Sequence, residues 1–137
     1  MTLEGAAAVI FDTRNRLLLI RENYDRHRYG FPGGAVEAGE TPEQAAIRET
    51  LEETCVSVEV HDQIGLYQLV SGLAVHLFRC GIVAGEPAVP ATGEIAEVAW
   101  YGVDALPRPV TNILHHSLAD VVAGRTGVVR ENLVRIN

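Results

Sequence analysis

The strongest constraint on the fold is a helix whose start is marked by several independent signals. Thr41 is a favourable N-cap, Pro42 suits the first helical position, and Gln44 completes a capping box with Thr41. The helix is therefore predicted to run from about Pro42 to Thr54. It follows the turn Phe-Pro-Gly-Gly at 31–34, whose two glycines permit positive φ or the close approach of a ligand.

This helix is predicted to carry a cluster of carboxylates on one face. Glu49, Glu52 and Glu53 are spaced i, i+3 and i+4, which places them side by side on a helix. Ile47 and Leu51 fall on the opposite face, where we expect them to pack against a sheet. The helix is thus predicted to be amphipathic, with its acidic side facing outwards.

Three like charges on adjacent turns are unfavourable unless a cation lies among them. Mg²⁺ prefers oxygen ligands and binds a few carboxylates together with substrate phosphate oxygens. An acidic run on a helix is more often a plain solvated face. The glycine turn and a further acid, Glu40, at the start of the same helix favour a metal–phosphate site instead.

The rest of the chain predicts a mixed sheet with helices packed on it. Two apolar runs, 6–11 and 16–21, flank a polar turn and are read as a β-hairpin. Segment 22–30 is predicted to be a surface loop. Further strands are expected at 57–70, 73–83 and 95–101, with a second helix at 110–123. The length of 137 residues fits a single domain, 1–137.

Charge and composition narrow the classes of partner. The formal net charge of -7 argues against a nucleic-acid polymer as the main partner. All eleven basic residues are arginine, so phosphate contacts must come from arginine, backbone N–H groups or a metal. Cys55 and Cys80 lack metal-ligand spacing and are expected to be reduced core or near-core residues. With no signal peptide and no membrane span, we expect a cytoplasmic protein, a monomer or homodimer.

The region 34–56 resembles the signature of a known enzyme family. Gly34, Glu40 and the run Arg48-Glu49-Thr50-x-Glu52-Glu53-x-Cys55-Val56 look like the Nudix box, G-x5-E-x7-R-E-U-x-E-E-x-G-U, where U is apolar. The upstream turn and the segment from Glu97 to Pro107 extend the resemblance over most of 6–107. Two positions depart from the box: Thr50 replaces an apolar residue and Cys55 replaces glycine. We expect Thr50 to have little effect, and Cys55 to cost about 1 kcal/mol or somewhat more if its backbone is left-handed.

The resemblance implies a fold and a reaction. Nudix domains are α+β proteins, α/β/α sandwiches with a curved mixed sheet between helices. The family hydrolyses a nucleoside diphosphate linked to another group, with Mg²⁺ or Mn²⁺ as cofactor. By resemblance, the metal would be bound by the carboxylates of the helix and by the Gly33 carbonyl, with Glu40 supporting the site. The implied metal residues are Gly33, Glu40, Glu49, Glu52 and Glu53, and Arg48 would orient Glu49.

The general base and the substrate contacts are less constrained. In this family the base is either the first glutamate of the R-E-U-x-E-E part of the box, here Glu49, or a loop glutamate. Glu94 and Glu97 are the loop candidates, and Glu94 is preferred because it lies just before the predicted strand. Candidate substrate-binding residues are Arg21, Arg28, Gly34, Glu97 and Asn112.

The substrate is expected to be a small molecule, either a nucleoside triphosphate or a small nucleotide sugar such as ADP-ribose. One alternative is a Nudix-fold nucleotide sensor that has lost catalysis, but this chain keeps every box carboxylate. A second is an isomerase relative, which needs a cysteine and an acid in surroundings that this chain lacks. A plain acidic interaction protein would leave the spacing of the glycine turn unexplained.

Overall fold

The computed structural model describes residues 3–136, which form two helices and eight strands. The helices are α1 (Pro42–Thr54) and α2 (Asn112–Ala123). The strands are β1 (Leu3–Val9), β2 (Arg16–Glu22), β3 (Tyr29–Gly30), β4 (Gly33–Ala35), β5 (Ser57–Leu69), β6 (Leu73–Ala84), β7 (Ile95–Gly102) and β8 (Val128–Leu133). None of the described helices is both long enough and apolar enough to cross a membrane.

The strands form a five-stranded mixed sheet, β4-β1-β6-β5-β8, and a three-stranded sheet, β3-β2-β7. Strand β1 is parallel to β6 and antiparallel to β4, and β8 is parallel to β5. Because side chains alternate along a strand, β1 contributes to two cores. Ala6 and Ala8 pack with α1, whereas Ala7 and Val9 lie in the core that also contains residues of α2. The predicted sandwich of a mixed sheet between helices is confirmed.

The predicted β-hairpin of 6–11 and 16–21 is present only next to its turn, because β1 and β2 belong to different sheets. The two runs pair antiparallel through the Phe11–Leu17 bridge, a 3.0 Å bond from Leu18 N–H to the Ile10 carbonyl and a 2.9 Å bond from Asp12 N–H to the Arg16 carbonyl. Strand β2 instead pairs antiparallel with β7. The apolar content of both runs reflects strands buried on two faces, and does not show which strands pair.

Helix α1 has the predicted bounds and the predicted capping box between Thr41 and Gln44. Its packing face differs from the prediction. Leu51 is 49% exposed, while Ala45, Ala46 and Thr50 are fully buried. Ile47 is only partly buried at the edge of the core. Small residues therefore face the sheet, and the helix lies close to β1.

Cys55 ends α1 in the left-handed conformation, with φ 67° and its N–H bonded to the Leu51 carbonyl at 3.0 Å. This backbone explains why the box has glycine here, and a side chain costs about 1 kcal/mol. Cys55 is exposed rather than near the core, whereas Cys80 is buried, and both thiols are free.

Thr50 lies in a more buried position than a departure with little effect would suggest. Its side chain is fully buried, and its Oγ1 has no hydrogen-bond partner among the described residues. We expect Thr50→Val to raise the free energy of unfolding by about 1 kcal/mol, because it removes an unsatisfied buried hydroxyl. Thr54→Val is the matched control. The Thr54 hydroxyl donates to the Thr50 carbonyl at 2.6 Å, so its loss should destabilise the protein in the same urea titration. Equal effects of the two changes would contradict this account.

Several boundaries differ from the prediction. Helix α2 begins at Asn112 rather than 110, and Thr111 is its N-cap. Tyr29–Gly30 is a short strand at the end of the predicted loop 22–30. Strand β8 is missing from the prediction, because its burial pattern is mostly exposed and it pairs only with β5 at the sheet edge.

Candidate active site

Two of the three clustered carboxylates turn inwards from α1 towards the glycine turn. Glu53 Oε1 accepts a hydrogen bond from the Gly33 N–H at 2.8 Å. Glu49 lies against Gly34 and has 18% of its side chain exposed, whereas Glu52 is 55% exposed. The helix therefore presents one acid to water and two acids to β4.

Arg48 organises the outer side of this cluster. Its Nη1 donates to Glu49 Oε1 at 2.7 Å, its Nε donates to Glu40 Oε2 at 2.8 Å, and its Nη2 donates to the Ala35 carbonyl at 3.0 Å. Hydrogen bonds from Arg48, together with the Glu37 N–H, lower the pKa of Glu40 to about 2. Glu40 in turn raises the pKa of Arg48, so the two side chains stay charged and fixed.

Glu53 has no such counter-charge among residues 3–136. Burial raises the pKa of Glu53 to about 8, and the charges of Glu49, Glu52 and Glu94 act in the same direction, despite the bond from Gly33. Burial also raises the pKa of Glu49, although Arg48 opposes this. The inner side of the cluster is therefore a place where negative charge is unfavourable without a cation.

The donor set matches a hard divalent cation, because all its members are oxygen donors on a rigid helix. In residues 3–136 no three His, Cys, Asp or Glu side chains converge as a ready metal cage. Glu49 is drawn towards Arg48 and Glu53 towards Gly33. The carboxylates thus fit a metal by chemistry and charge, while their hydrogen bonds direct Glu49 and Glu53 to different partners.

The two glycines are required by contacts rather than by flexibility. A Cβ on Gly33 would lie 2.7 Å from the Ala7 Cα, inside the β1–β4 pairing. A Cβ on Gly34 would lie 2.5 Å from the Glu49 Cδ and 2.7 Å from both its carboxylate oxygens. Gly33 therefore keeps the strands together, and Gly34 leaves room for the Glu49 carboxylate.

A cleft of about 570 Å³ opens beside Glu53 and the glycine turn. We call it the catalytic cleft. Its walls are largely apolar, with a few polar groups, and it has the size of a small-molecule site. Residues that line it include Ile20, Phe31, Leu73, Val75, Ile113, Glu22, Tyr24, Gly34 and Glu53.

Glu22 is a cleft residue that the sequence prediction missed. It is 8% exposed, and its Oε1 accepts hydrogen bonds from Arg28 Nε at 3.1 Å and from Arg28 N–H at 3.3 Å. Its alternation with Leu18 and Ile20 along β2 could have shown that it faces inwards. The predicted loop boundary at residue 22 hid that signal.

Three of the predicted substrate-binding residues, Arg21, Arg28 and Asn112, do not line the catalytic cleft. Arg21 lies over the Tyr29 ring at 5.3 Å, and Arg28 pairs with Glu22 and Asp25 rather than lining the catalytic cleft. Asn112 Oδ1 accepts from the Ile136 N–H at 3.0 Å and so fixes the C-terminal segment.

The two loop glutamates have different surroundings. Glu97 accepts hydrogen bonds from the hydroxyls of Tyr29 and Tyr101 and is not brought to the carboxylate cluster. Glu94 is exposed, and the Asn23 N–H bonds to its carbonyl at 2.9 Å. Of these two glutamates, Glu94 is the one whose charge contributes to the raised pKa of Glu53.

Comparison with known proteins finds relatives that are similar in sequence and in fold. The profile of the NUDIX domain matches residues 1–121. A putative 8-oxo-dGTP diphosphatase of Bacillus subtilis (strain 168) is 33% identical over 108 residues, 78% of this chain and 71% of that protein. A MutT-like protein of Streptomyces ambofaciens is 32% identical over 129 residues, 93% of this chain and 82% of that protein. The crystal structure of a NUDIX hydrolase from Nitrosomonas europaea has the same fold, with TM-score 0.81 at 22% identity, covering 98% of this chain and 80% of that one.

Proposed function

The chain belongs to the Nudix family and is a pyrophosphohydrolase, and we propose that it uses Mg²⁺ or Mn²⁺ to hydrolyse a small nucleotide at the catalytic cleft. The observation that carries this proposal is the position of Glu53. It lies between the glycine turn and the cleft, poorly exposed and beside two more carboxylates, and it has no basic partner in the part of the chain that the structure describes. A divalent cation would compensate that charge and bring substrate phosphates to the same place.

The acidic and basic residues of α1 would have different roles in binding the cation. Glu49, Glu52 and Glu53 would hold the cation, together with the backbone carbonyl of Gly33. Arg48 keeps Glu49 in place through their 2.7 Å ion pair, and Glu40 keeps Arg48 in place. Arg48 and Glu40 are therefore positioning residues. When bound, the cation supplies charge neutralisation for the diphosphate and lowers the pKa of the attacking water.

We assign the proton transfer to Glu94. Its carboxylate makes no hydrogen bond to another residue within 3–136, and it is close enough to influence Glu53. Glu97 is a poorer base because two tyrosine hydroxyls already donate to it.

We expect Glu94→Gln to lower kcat by about 100- to 10,000-fold while metal binding changes little, because only a proton acceptor is lost. Glu97→Gln is the matched control and should lower kcat far less. The measurement is kcat against pH for both variants and the parent protein. A normal kcat in Glu94→Gln would move the role of base to Glu49.

We propose that the substrate is a nucleoside triphosphate. A small nucleotide sugar such as ADP-ribose is the second candidate. Similarity to a relative named as a putative 8-oxo-dGTP diphosphatase supports the triphosphate. The apolar walls of the catalytic cleft, with few polar groups, suit a base and sugar next to the charged linkage.

A substrate panel tests the proposal. Nucleoside triphosphates, their oxidised forms and ADP-ribose are incubated with Mg²⁺, with Mn²⁺ or with EDTA, and released phosphate and pyrophosphate are quantified. We expect turnover of at least one nucleotide with a divalent ion and none with EDTA. Tight nucleotide binding without turnover across the panel would support the sensor alternative, and turnover in EDTA would contradict the metal site.

A further inference from the structure

A second cleft, of about 860 Å³, lies on the other side of the start of α2. We call it the arginine cleft. It shares no lining residue with the catalytic cleft among the described residues. At the start of α2, Thr111 and Ile113 face the catalytic cleft, whereas Val110 and Leu114 face the arginine cleft.

The arginine cleft concentrates positive charge in an acidic protein. Four of the eleven arginines line it: Arg26, Arg28, Arg108 and Arg135. Asp104 is the only acid among its described lining residues. In a chain of net charge -7, such a group creates a local positive potential that attracts anions.

Most of the arginines in this cleft form no ion pair with an acidic side chain among residues 3–136. Six arginines form ion pairs with acids, namely Arg16, Arg28, Arg48, Arg79, Arg125 and Arg130. Within residues 3–136 the other five have no acidic partner, and three of those five line this one cleft. Arg26, Arg108 and Arg135 come from three separate segments, so their convergence is a product of the fold.

The segments that carry these arginines are fixed by hydrogen bonds. The Tyr29 N–H bonds to the Pro109 carbonyl at 2.8 Å, and the Thr111 N–H bonds to the Tyr29 carbonyl at 2.9 Å, which holds the segment next to Arg108. The Ile136 N–H bonds to Asn112 Oδ1 at 3.0 Å, next to Arg135. The cleft is therefore built on ordered backbone.

The remaining walls are apolar. Leu106 and Leu118 are partly buried side chains that line the cleft, and Leu114 is 1% exposed at its floor. Guanidinium groups around an apolar floor are suited to a ligand with several phosphate oxygens and a flat apolar body. The volume lies within the range of small-molecule sites.

We propose that the arginine cleft binds a second polyphosphate-bearing molecule, separate from the substrate in the catalytic cleft. Arg108 and Arg135 donate to its phosphate oxygens, while Arg26 adds charge from the opposite segment. Arg28 also borders the cleft and pairs with Glu22 of the catalytic cleft at 3.1 Å. The ion pair between Arg28 and Glu22 therefore directly connects the two clefts.

The test measures binding by calorimetry in EDTA, with inorganic tripolyphosphate and a non-hydrolysable nucleoside triphosphate as probes. Without a divalent ion, the catalytic cleft lacks the cation that we propose for binding phosphate there, and hydrolysis plays no part. We expect Arg108→Gln and Arg135→Gln each to weaken binding about tenfold, because each removes a charge-assisted contact. Tighter binding of the nucleotide would identify a nucleoside polyphosphate, and equal binding would identify a free polyphosphate.

Arg14→Gln is the matched control, because Arg14 has no acidic partner within 3–136 and does not line the cleft. It should change the affinity by less than about twofold. The proposal is overturned if the parent protein binds neither probe, or if Arg14→Gln weakens binding as much as the cleft variants do. Because the readout is binding in EDTA, failure here leaves the hydrolase assignment unaffected.

Discussion

We expect Glu53→Gln to lower kcat by about two to four orders of magnitude and to leave the protein folded. The amide oxygen of glutamine can still accept the Gly33 N–H, now 2.8 Å from Glu53 Oε1, so the local structure is retained. The substitution removes the negative charge of Glu53, which we propose binds the cation. Glu49→Gln should have a comparable effect on kcat, since Glu49 is the other inward carboxylate.

Glu43→Gln is the control for this result, because Glu43 is an exposed acid in the first turn of the same helix. It should leave kcat close to that of the parent protein. Steady-state rates with saturating Mg²⁺, together with circular dichroism, separate loss of activity from loss of fold. Near-normal kcat in both Glu53→Gln and Glu49→Gln would refute the metal assignment.

Glu53 also makes the stability of the metal-free protein depend on pH. Burial raises the pKa of Glu53 from 4.5 to about 8, so between these values the folded protein keeps a proton that the unfolded chain releases. The stability contributed by this proton is present at low pH and is lost as the pH rises through about 8. Melting temperatures in EDTA should therefore fall over this window, and fall less in Glu53→Gln. Parallel curves for the two proteins would contradict the raised pKa.

Gly34→Ala is the second change with a large expected effect. The new methyl group would lie 2.5 Å from the Glu49 Cδ, so the carboxylate must move away from its 2.7 Å ion pair with Arg48. Since a small misplacement of a catalytic group is costly, we expect kcat to fall about 10- to 1,000-fold in a folded protein.

Gly33→Ala, one residue earlier, provides a contrast. Here the methyl group would meet the backbone of Ala6 and Ala7, which cannot move without loss of the β1–β4 pairing. The free energy of unfolding should fall by about 2 kcal/mol or more. Urea titration and kcat are measured for both variants. If Gly34→Ala is as unstable as Gly33→Ala, or is fully active, the role given to Gly34 is wrong.

The features that could be predicted from sequence are those specified by neighbouring residues. The bounds of α1 depend on Thr41, Pro42 and Gln44, which act within one turn, and the prediction of 42–54 is confirmed. The left-handed backbone at Cys55 was recognisable because the family places glycine there. The clustering of the glutamates on one side of the helix depends only on helical period.

The features that could not be predicted depend on distant partners. The pairing of β2 with β7 joins residues about eighty positions apart, and nothing in the run 16–21 specifies it. The packing face of α1 depends on how closely the helix approaches β1, so Leu51 was wrongly placed inside. Glu22 and the arginine cleft arise from segments that only the tertiary fold brings together.

The alanines between α1 and β1 set the height of the carboxylates above the sheet. Ala45 and Ala46 on the helix are fully buried in one core with Ala6 and Ala8 of the strand, and each of these side chains is a single methyl group. Since α1 carries its acids as a rigid unit, a methylene added at this contact would lift all of them together, relative to the glycine turn. The spacing between catalytic groups is thus set from beneath the site, by the volume of residues that never meet the substrate.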